Sequence, residues 1–364
     1  MSKKQATATV PDATKMQHCA LKPMPRRAFG PEVTFQRAEI LIETSKYWVN
    51  GTVLKYYFDT ASTRKSDVAN GSEVQMVRDA FGKWKKIGIG ISFVETKAID
   101  EAHLRIAFER GLGAWSYLGR DCLQIPKDQQ TMNFGWNLLN DPRTIGVAMH
   151  EIGHAIGLPH EHQNPRAGIV WNEAAVIALF SGPPNNWDEQ KIRTNILGKL
   201  PRNEIKGSEW DPDSIMEYSF PANIIASPPP YDKKGIHPPG NTLSKIDIAW
   251  SLKFYPSIDK KDYQELEVAK SAPVLLSHGK QANFRFSPAL SREYEIRMFG
   301  QCDAVLVIFE DQGKGAKNYL VGKDDSGTDN SVYVKMRLEK AKNYLFNIRM
   351  LYRNPDASPA IMIW

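Results

Sequence analysis

Four of the eight histidines lie between positions 150 and 162, in His150-Glu151-Ile152-Gly153-His154-Ala155-Ile156-Gly157-Leu158-Pro159-His160-Glu161-His162. On a helix, residues four apart share a face, so His150 and His154 can turn two imidazole nitrogens toward one metal ion at about 2.0–2.1 Å. Two ligands from one helix do not close a tetrahedron. Gly157 can adopt the left-handed conformation that ends a helix and doubles the chain back, bringing His160 to the same ion. The fourth position then stays open to water, as in a catalytic zinc site, and Glu151 flanks the first ligand as candidate general base. A purely structural zinc would leave Glu151 idle. A fourth imidazole would block the open position, so His162 reads as a loop residue rather than a ligand. Downstream, Ser214-Ile215-Met216-Glu217-Tyr218 supplies a methionine suited to be a hydrophobic floor under the metal.

These residues need elements to hold them. Asp141-Pro142 reads as an N-cap followed by proline, and Ile145, Val147, Ala148, Met149, Ile152, Ala155 and Ile156 make the next segment apolar nearly all round, so this helix must be buried. Upstream, residues 53–58 are β-rich, Val74, Val77, Phe81 and Trp84 form one face of a helix, and residues 89–94 and 104–108 read as strands, which implies a mixed sheet with a backing helix. Short helices are expected near Asn172 and Asn186. Ser244 and Asp247 form a capping box that opens a last helix over 245–254, stopped by Pro256. Beyond about residue 262 the pattern alternates, as in Tyr294/Ile296/Met298 and Tyr344/Phe346/Ile348/Met350, which predicts an all-β sandwich of roughly 100 residues that is separable from what precedes it. The expected division is a proline-rich extended leader over 1–36, a catalytic domain over 37–257 and the β-sandwich over 262–364.

Composition narrows the class. The chain has 364 residues, 42% hydrophobic and 24% charged, with a net charge of +6, which is globular rather than disordered. Its basic runs are short and separated, so a nucleic-acid footprint is not expected. No stretch has the length of a membrane span, and no apolar core follows the basic N-terminus as a secretory signal would require. Three cysteines, Cys19, Cys122 and Cys302, allow at most one disulfide.

The string HEIGHAIGLPHEH followed by SIMEY resembles the astacin branch of the metzincins, and more closely its bacterial astacin- and matrixin-like zinc peptidases. Residues 47–53, 114–120 and 243–256 are similar to that family's first strand, mid-domain segment and closing helix. The resemblance implies an α+β metzincin catalytic domain with a mixed twisted sheet, an active-site helix and a Met-turn. It implies one catalytic zinc held by His150, His154 and His160, Glu151 as general base, Met216 as the Met-turn and Tyr218 as the tyrosine that stabilises the transition state. Eukaryotic astacins carry disulfides in this domain, whereas here Cys122 is its only cysteine and is expected to be an inert buried thiol. The family's arginine after the third histidine is replaced by Asn164, with Arg166 two residues on, which leaves Glu161 without its family partner.

The C-terminal part resembles the bacterial pre-peptidase C-terminal domain. Asp303, Asp324, Asp325 and Asp329 offer calcium ligands by residue type, though solvated turn acids are the better supported reading. The function implied is a zinc endopeptidase that hydrolyses peptide bonds of a protein or peptide substrate outside the producing cell. The rival is a silent zinc-containing binding protein whose β-sandwich recognises a glycan or protein surface. Arg166 and Arg193 are basic candidates for substrate selection. Cys19, in a leader with no core of its own, is a candidate latency ligand at the open zinc position.

Overall fold

A computed structural model describes residues 16–22, 24, 46–60, 71–200, 209–256, 263–274, 276, 280–300, 302–313, 317–323, 332–353 and 357–364. They fall into two compact units, within 1–24, 57–84 and 97–250 for the first and within 25–56, 85–96 and 251–364 for the second. Residues expected to belong to the catalytic domain, 46–56 and 85–96, thus group with the C-terminal strands. Asp324, Asp325 and Asp329 lie outside the described residues.

The first unit is built around helices that the apolar spacing foretold. Helix α1 (Gly71–Lys86) buries Val74, Val77, Ala80, Phe81 and Trp84, and the Trp84 indole N–H donates to the Met149 carbonyl at 2.9 Å. Met149 lies in helix α2 (Ile145–Ala155), of which every residue from Gly146 to Ala155 is buried. Asp141-Pro142 does not open this helix. The Asp141 carboxylate instead accepts from the Arg143 guanidinium and backbone N–H and from the Trp136 indole, so α2 begins three residues later, after Thr144 at φ 50°. Three short strands flank it: β3 (Leu104–Ala107) runs parallel to β5 (Met132–Asn133), and β4 (Trp115–Ser116) runs antiparallel to β5. Helix α3 (Glu173–Ser181) is capped by Asn172 as expected, whereas the next turn is capped by Asp188 rather than Asn186.

In the second unit, β1 (Val53–Phe58) pairs in parallel with β2 (Ser92–Glu95) through Val53–Tyr56. The C-terminal strands form two sheets. One contains Gln281–Phe286, Cys302–Asp311, Lys317–Lys323 and Asn343–Arg353, the other Arg292–Phe299, Tyr333–Leu338 and Ala360–Ile363. Tyr294, Ile296, Val334 and Ile361 from one sheet share a core with Leu306, Ile308, Phe346 and Ile348 from the other. The strand Cys302–Asp311 buries both faces over most of its length. Its alternate residues Val305, Val307 and Phe309, with Leu345 and Leu351, form a second cluster that includes Val49. Asn50 exchanges hydrogen bonds with the Gln281 side chain, and Arg349 donates to the Phe254 carbonyl at 3.0 Å.

This packing reverses the expectation of a separable sandwich. A chain stopped near residue 257 would strip the cover from Val49 and the Gln281 partner from Asn50, exposing apolar surface in the second unit. We expect such a truncation to lose soluble expression, scored by the soluble fraction and by cooperative thermal unfolding of what remains. A soluble truncated chain with a sharp transition would show that this packing is dispensable.

Candidate active site

Helix α2 ends in a Schellman motif. Gly157, at φ 97°, donates its N–H to the His154 carbonyl at 2.8 Å while Leu158 donates to the Gly153 carbonyl at 2.9 Å. A side chain at Gly157 would be strained in that conformation. The reversal carries the chain back to His160, and the Nε2 atoms of His154 and His160 stand 3.0 Å apart. The fourth member of the cluster is Cys19. Its Sγ lies 3.4, 3.3 and 3.2 Å from Nε2 of His150, His154 and His160, and these four donor atoms all lie within 4.8 Å of one another.

The outer ring nitrogens decide what the inner ones can do. His150 Nδ1 donates to the Ile215 carbonyl at 2.8 Å and His154 Nδ1 to the Leu158 carbonyl at 2.7 Å. Those tautomers, assigned from the acceptors they face, leave two unprotonated Nε2 lone pairs converging on one point. A cation relieves that convergence. Bonds of about 2.0–2.1 Å to nitrogen and about 2.3 Å to sulfur put tetrahedral donors about 3.4–3.6 Å apart, close to the spacing observed. The residues therefore fit zinc.

Glu151 sits on α2 beside the first histidine. It is fully buried, neither carboxylate oxygen has a hydrogen-bond partner among the described residues, and burial pushes its pKa up to about 8. The Tyr218 hydroxyl lies 2.7 Å from His160 Nε2 and donates to the Cys19 carbonyl oxygen. Met216 is buried under α2, and a Cβ added at Gly153 would meet the Met216 sulfur at 2.3 Å, so a larger residue there would require the thioether to shift. His162 stands apart from the cluster. It is buried on a short turn with Nε2 2.8 Å from the Asn195 carbonyl, and burial pushes its pKa down to about 3.

The family model for astacin, a peptidase family, matches residues 41–178. That region resembles the astacin peptidase family. Human tolloid-like protein 1 is 28% identical over 193 residues, which cover 51% of this chain and 17% of that protein. Zinc metalloproteinase nas-28 of Caenorhabditis elegans is 29% identical over 183 residues, covering 50% of this chain and 31% of its own. The chain thus spans less than a third of the length of these relatives. A solved structure of myroilysin aligns at a TM-score of 0.52 and 27% identity, covering 59% of this chain and 97% of that one.

The segment around Met216 is tethered from both sides. Glu161 N–H donates to the Met216 carbonyl at 3.1 Å. Asp247 takes the Ser214 hydroxyl at 2.6 Å and the Ile215 N–H at 2.8 Å, and also closes the expected capping box with Ser244 at the start of helix α4 (Lys245–Phe254). Because the Ile215 carbonyl orients His150, Asp247 is two hydrogen bonds removed from one of the converging histidines. The sequence signal for it, the capping box, was visible but pointed only to a helix start. We expect Asp247→Ala to weaken zinc affinity about tenfold, read by competition with a chromogenic chelator, since groups that orient ligands carry effects of that order. Unchanged affinity would make Asp247 a cap alone.

Other candidates resolve locally. Asn164 itself donates to Glu161 Oε1 at 3.1 Å, alongside the Asp211 N–H, so Glu161 finds partners in place of the family's arginine. Arg193 is half exposed and paired with Glu173 and Glu189. Cys122 is buried, and burial pushes its thiol up to about 12, in keeping with an inert role. Sequence reasoning missed Arg143. Its guanidinium donates to the Gln17 carbonyl at 2.9 Å and helps line a cleft of about 220 Å³ beside His150, with Val147, Ile215 and Tyr218.

Proposed function

We propose that this protein is a zinc-dependent endopeptidase in which His150, His154 and His160 hold the metal, Glu151 is the general base and Cys19 keeps the enzyme latent. The observation that carries the reading is the convergence of three imidazole nitrogens beside the fully buried Glu151 carboxylate. Zinc, when bound, supplies Lewis-acid polarisation of the scissile carbonyl and lowers the pKa of water toward 7.

The chain's own residues do the rest. The Ile215 and Leu158 carbonyls fix the tautomers of His150 and His154. Glu151 accepts the proton of the attacking water and passes it to the leaving amine, and a carboxylate whose burial favours the protonated form is suited to hold that proton between the two steps. The Tyr218 hydroxyl, now directed at the Cys19 carbonyl, would donate in the same way to the developing oxyanion of a substrate. Met216, as the Met-turn, and Gly153 set the floor. The two C-terminal sheets form the accessory β-sandwich, and the enzyme acts outside the producing cell; among the described residues no helix is long and apolar enough to cross a membrane.

The test is cleavage of a denatured protein by the Cys19→Ala chain, mapped by mass spectrometry, with and without a zinc chelator and with His160→Ala added. Cuts that vanish with chelator, return with added zinc and are missing in His160→Ala support the reading. Cuts that survive both would overturn it.

A further inference from the structure

We propose that the cleft contains a subsite for a flat side chain with one hydrogen-bond donor at its edge, tyrosine or tryptophan before histidine, next to the residue held over the three metal-site histidines. The inference deepens the peptidase reading and rests on it for the substrate, although the pocket can be tested without turnover.

His18 marks the place. It precedes Cys19, and its ring is buried between the edges of Phe180 and Tyr218, at centroid distances of 5.0 and 4.9 Å, and stacks over Phe220 at 6.2 Å and 17°. At its rim, Nε2 stands 3.2 Å from the Ser219 carbonyl oxygen and donates to it in the matching tautomer. The backbone is bracketed as well: the His18 N–H donates to Asn185 Oδ1 at 3.0 Å, and Asn185 Nδ2 reaches the Met16 carbonyl at 3.4 Å. An extended chain of any sequence could make those two bonds, so specificity must come from the ring pocket.

The walls do not depend on His18. Phe180 and Phe220 are backed by residues outside the leader, with Trp187 packed against Phe180 at 5.4 Å and Trp171 against Phe220 at 4.8 Å. When the leader withdraws, a preformed aromatic slot remains with a carbonyl at its end. An aliphatic side chain would leave that carbonyl without a donor, a carboxylate would face its negative end, and a flat ring with a single edge donor satisfies both walls and rim. Histidine is an imperfect occupant: His18 Nδ1 is buried with no partner among the described residues. The tyrosine hydroxyl and the tryptophan indole N–H bring no such second nitrogen. A leader that fills the slot with the weaker of the three rings can be displaced by a substrate carrying a better one.

Two measurements test this on the full-length chain. In the first, the rate of thiol labelling at Cys19 reports how firmly the leader is docked. His18→Tyr and His18→Trp should label no faster than the parent, and His18→Leu and His18→Ala at least tenfold faster. In the second, a peptide library is cleaved by the Cys19→Ala chain. Tyrosine, tryptophan and histidine should be enriched at least fivefold at one fixed position beside the cut, and Phe180→Ala in that background should flatten the enrichment. Equal labelling of His18→Leu and His18→Tyr would overturn the pocket. Zinc-dependent cuts without ring enrichment would overturn the substrate assignment while leaving the peptidase reading intact. If the zinc-loaded chain makes no cuts at all, the peptidase reading falls and the labelling alone decides the pocket.

Discussion

Glu151→Gln should retain about one zinc per chain and lose about 10²–10⁴-fold in peptide turnover, the range associated with a positioned general base. The substitution is close to isosteric. The side-chain interaction of Glu151 with the Cys19 thiol is absent once Cys19 is alanine, and because Glu151 is not among the four converging donors, the metal set is untouched. What is removed is the capacity to take a proton. The comparison belongs in a Cys19→Ala background, so that latency does not mask the loss, with metal content measured on the same samples. A glutamine variant that turns over like its parent would remove Glu151 from the mechanism; one that loses zinc as well would make it a structural support of the site.

The metal site was legible because it is local. Three of the four converging donor atoms come from residues within eleven positions, brought together by one helical turn and one left-handed glycine. The last helix was legible for the same reason, since Ser244 and Asp247 cap within one turn. Helix α2 was misplaced at its start because Asp141 found stronger partners than a helix end offers: the Arg143 guanidinium forms charge-assisted bonds to both its oxygens.

What could not be read were the long-range roles. Gly153 occupies an unconstrained place in the motif, and only the approach of the Met216 sulfur shows that a larger residue there would displace the thioether. The outer cluster of the C-terminal strands was readable in part: the run Ala304-Val305-Leu306-Val307-Ile308-Phe309 is apolar at every position, which is the pattern of a strand covered on both faces rather than one. No sequence pattern, however, says that Val49 supplies part of the cover.

Cys19→Ala should raise initial peptidase activity at least tenfold. The thiol is the only sulfur in the cluster, its Sγ stands 3.2–3.4 Å from all three imidazole nitrogens, and zinc favours thiolate over water. The backbone on either side is held too. Gln17 is fixed by Arg143, Leu21 donates to Asn195 Oδ1 at 2.9 Å, and Ala20 donates to the Ala114 carbonyl at 3.3 Å. Each of these contacts occupies a place that an extended substrate would need, so the leader excludes substrate by position as well as by ligation. In a chain with zinc, labelling reagents should find Cys19 protected, and stripping the metal should expose it faster than the other two thiols, which are buried in their own cores. Cys19→Ser separates the two effects, because serine keeps the size of the side chain while giving up the sulfur: activation equal to that of Cys19→Ala would assign latency to ligation. A leader that inhibits equally with serine or alanine at position 19 would assign it to the backbone contacts instead. Full activity of the untouched chain, with Cys19 labelled at once, would end the latency proposal.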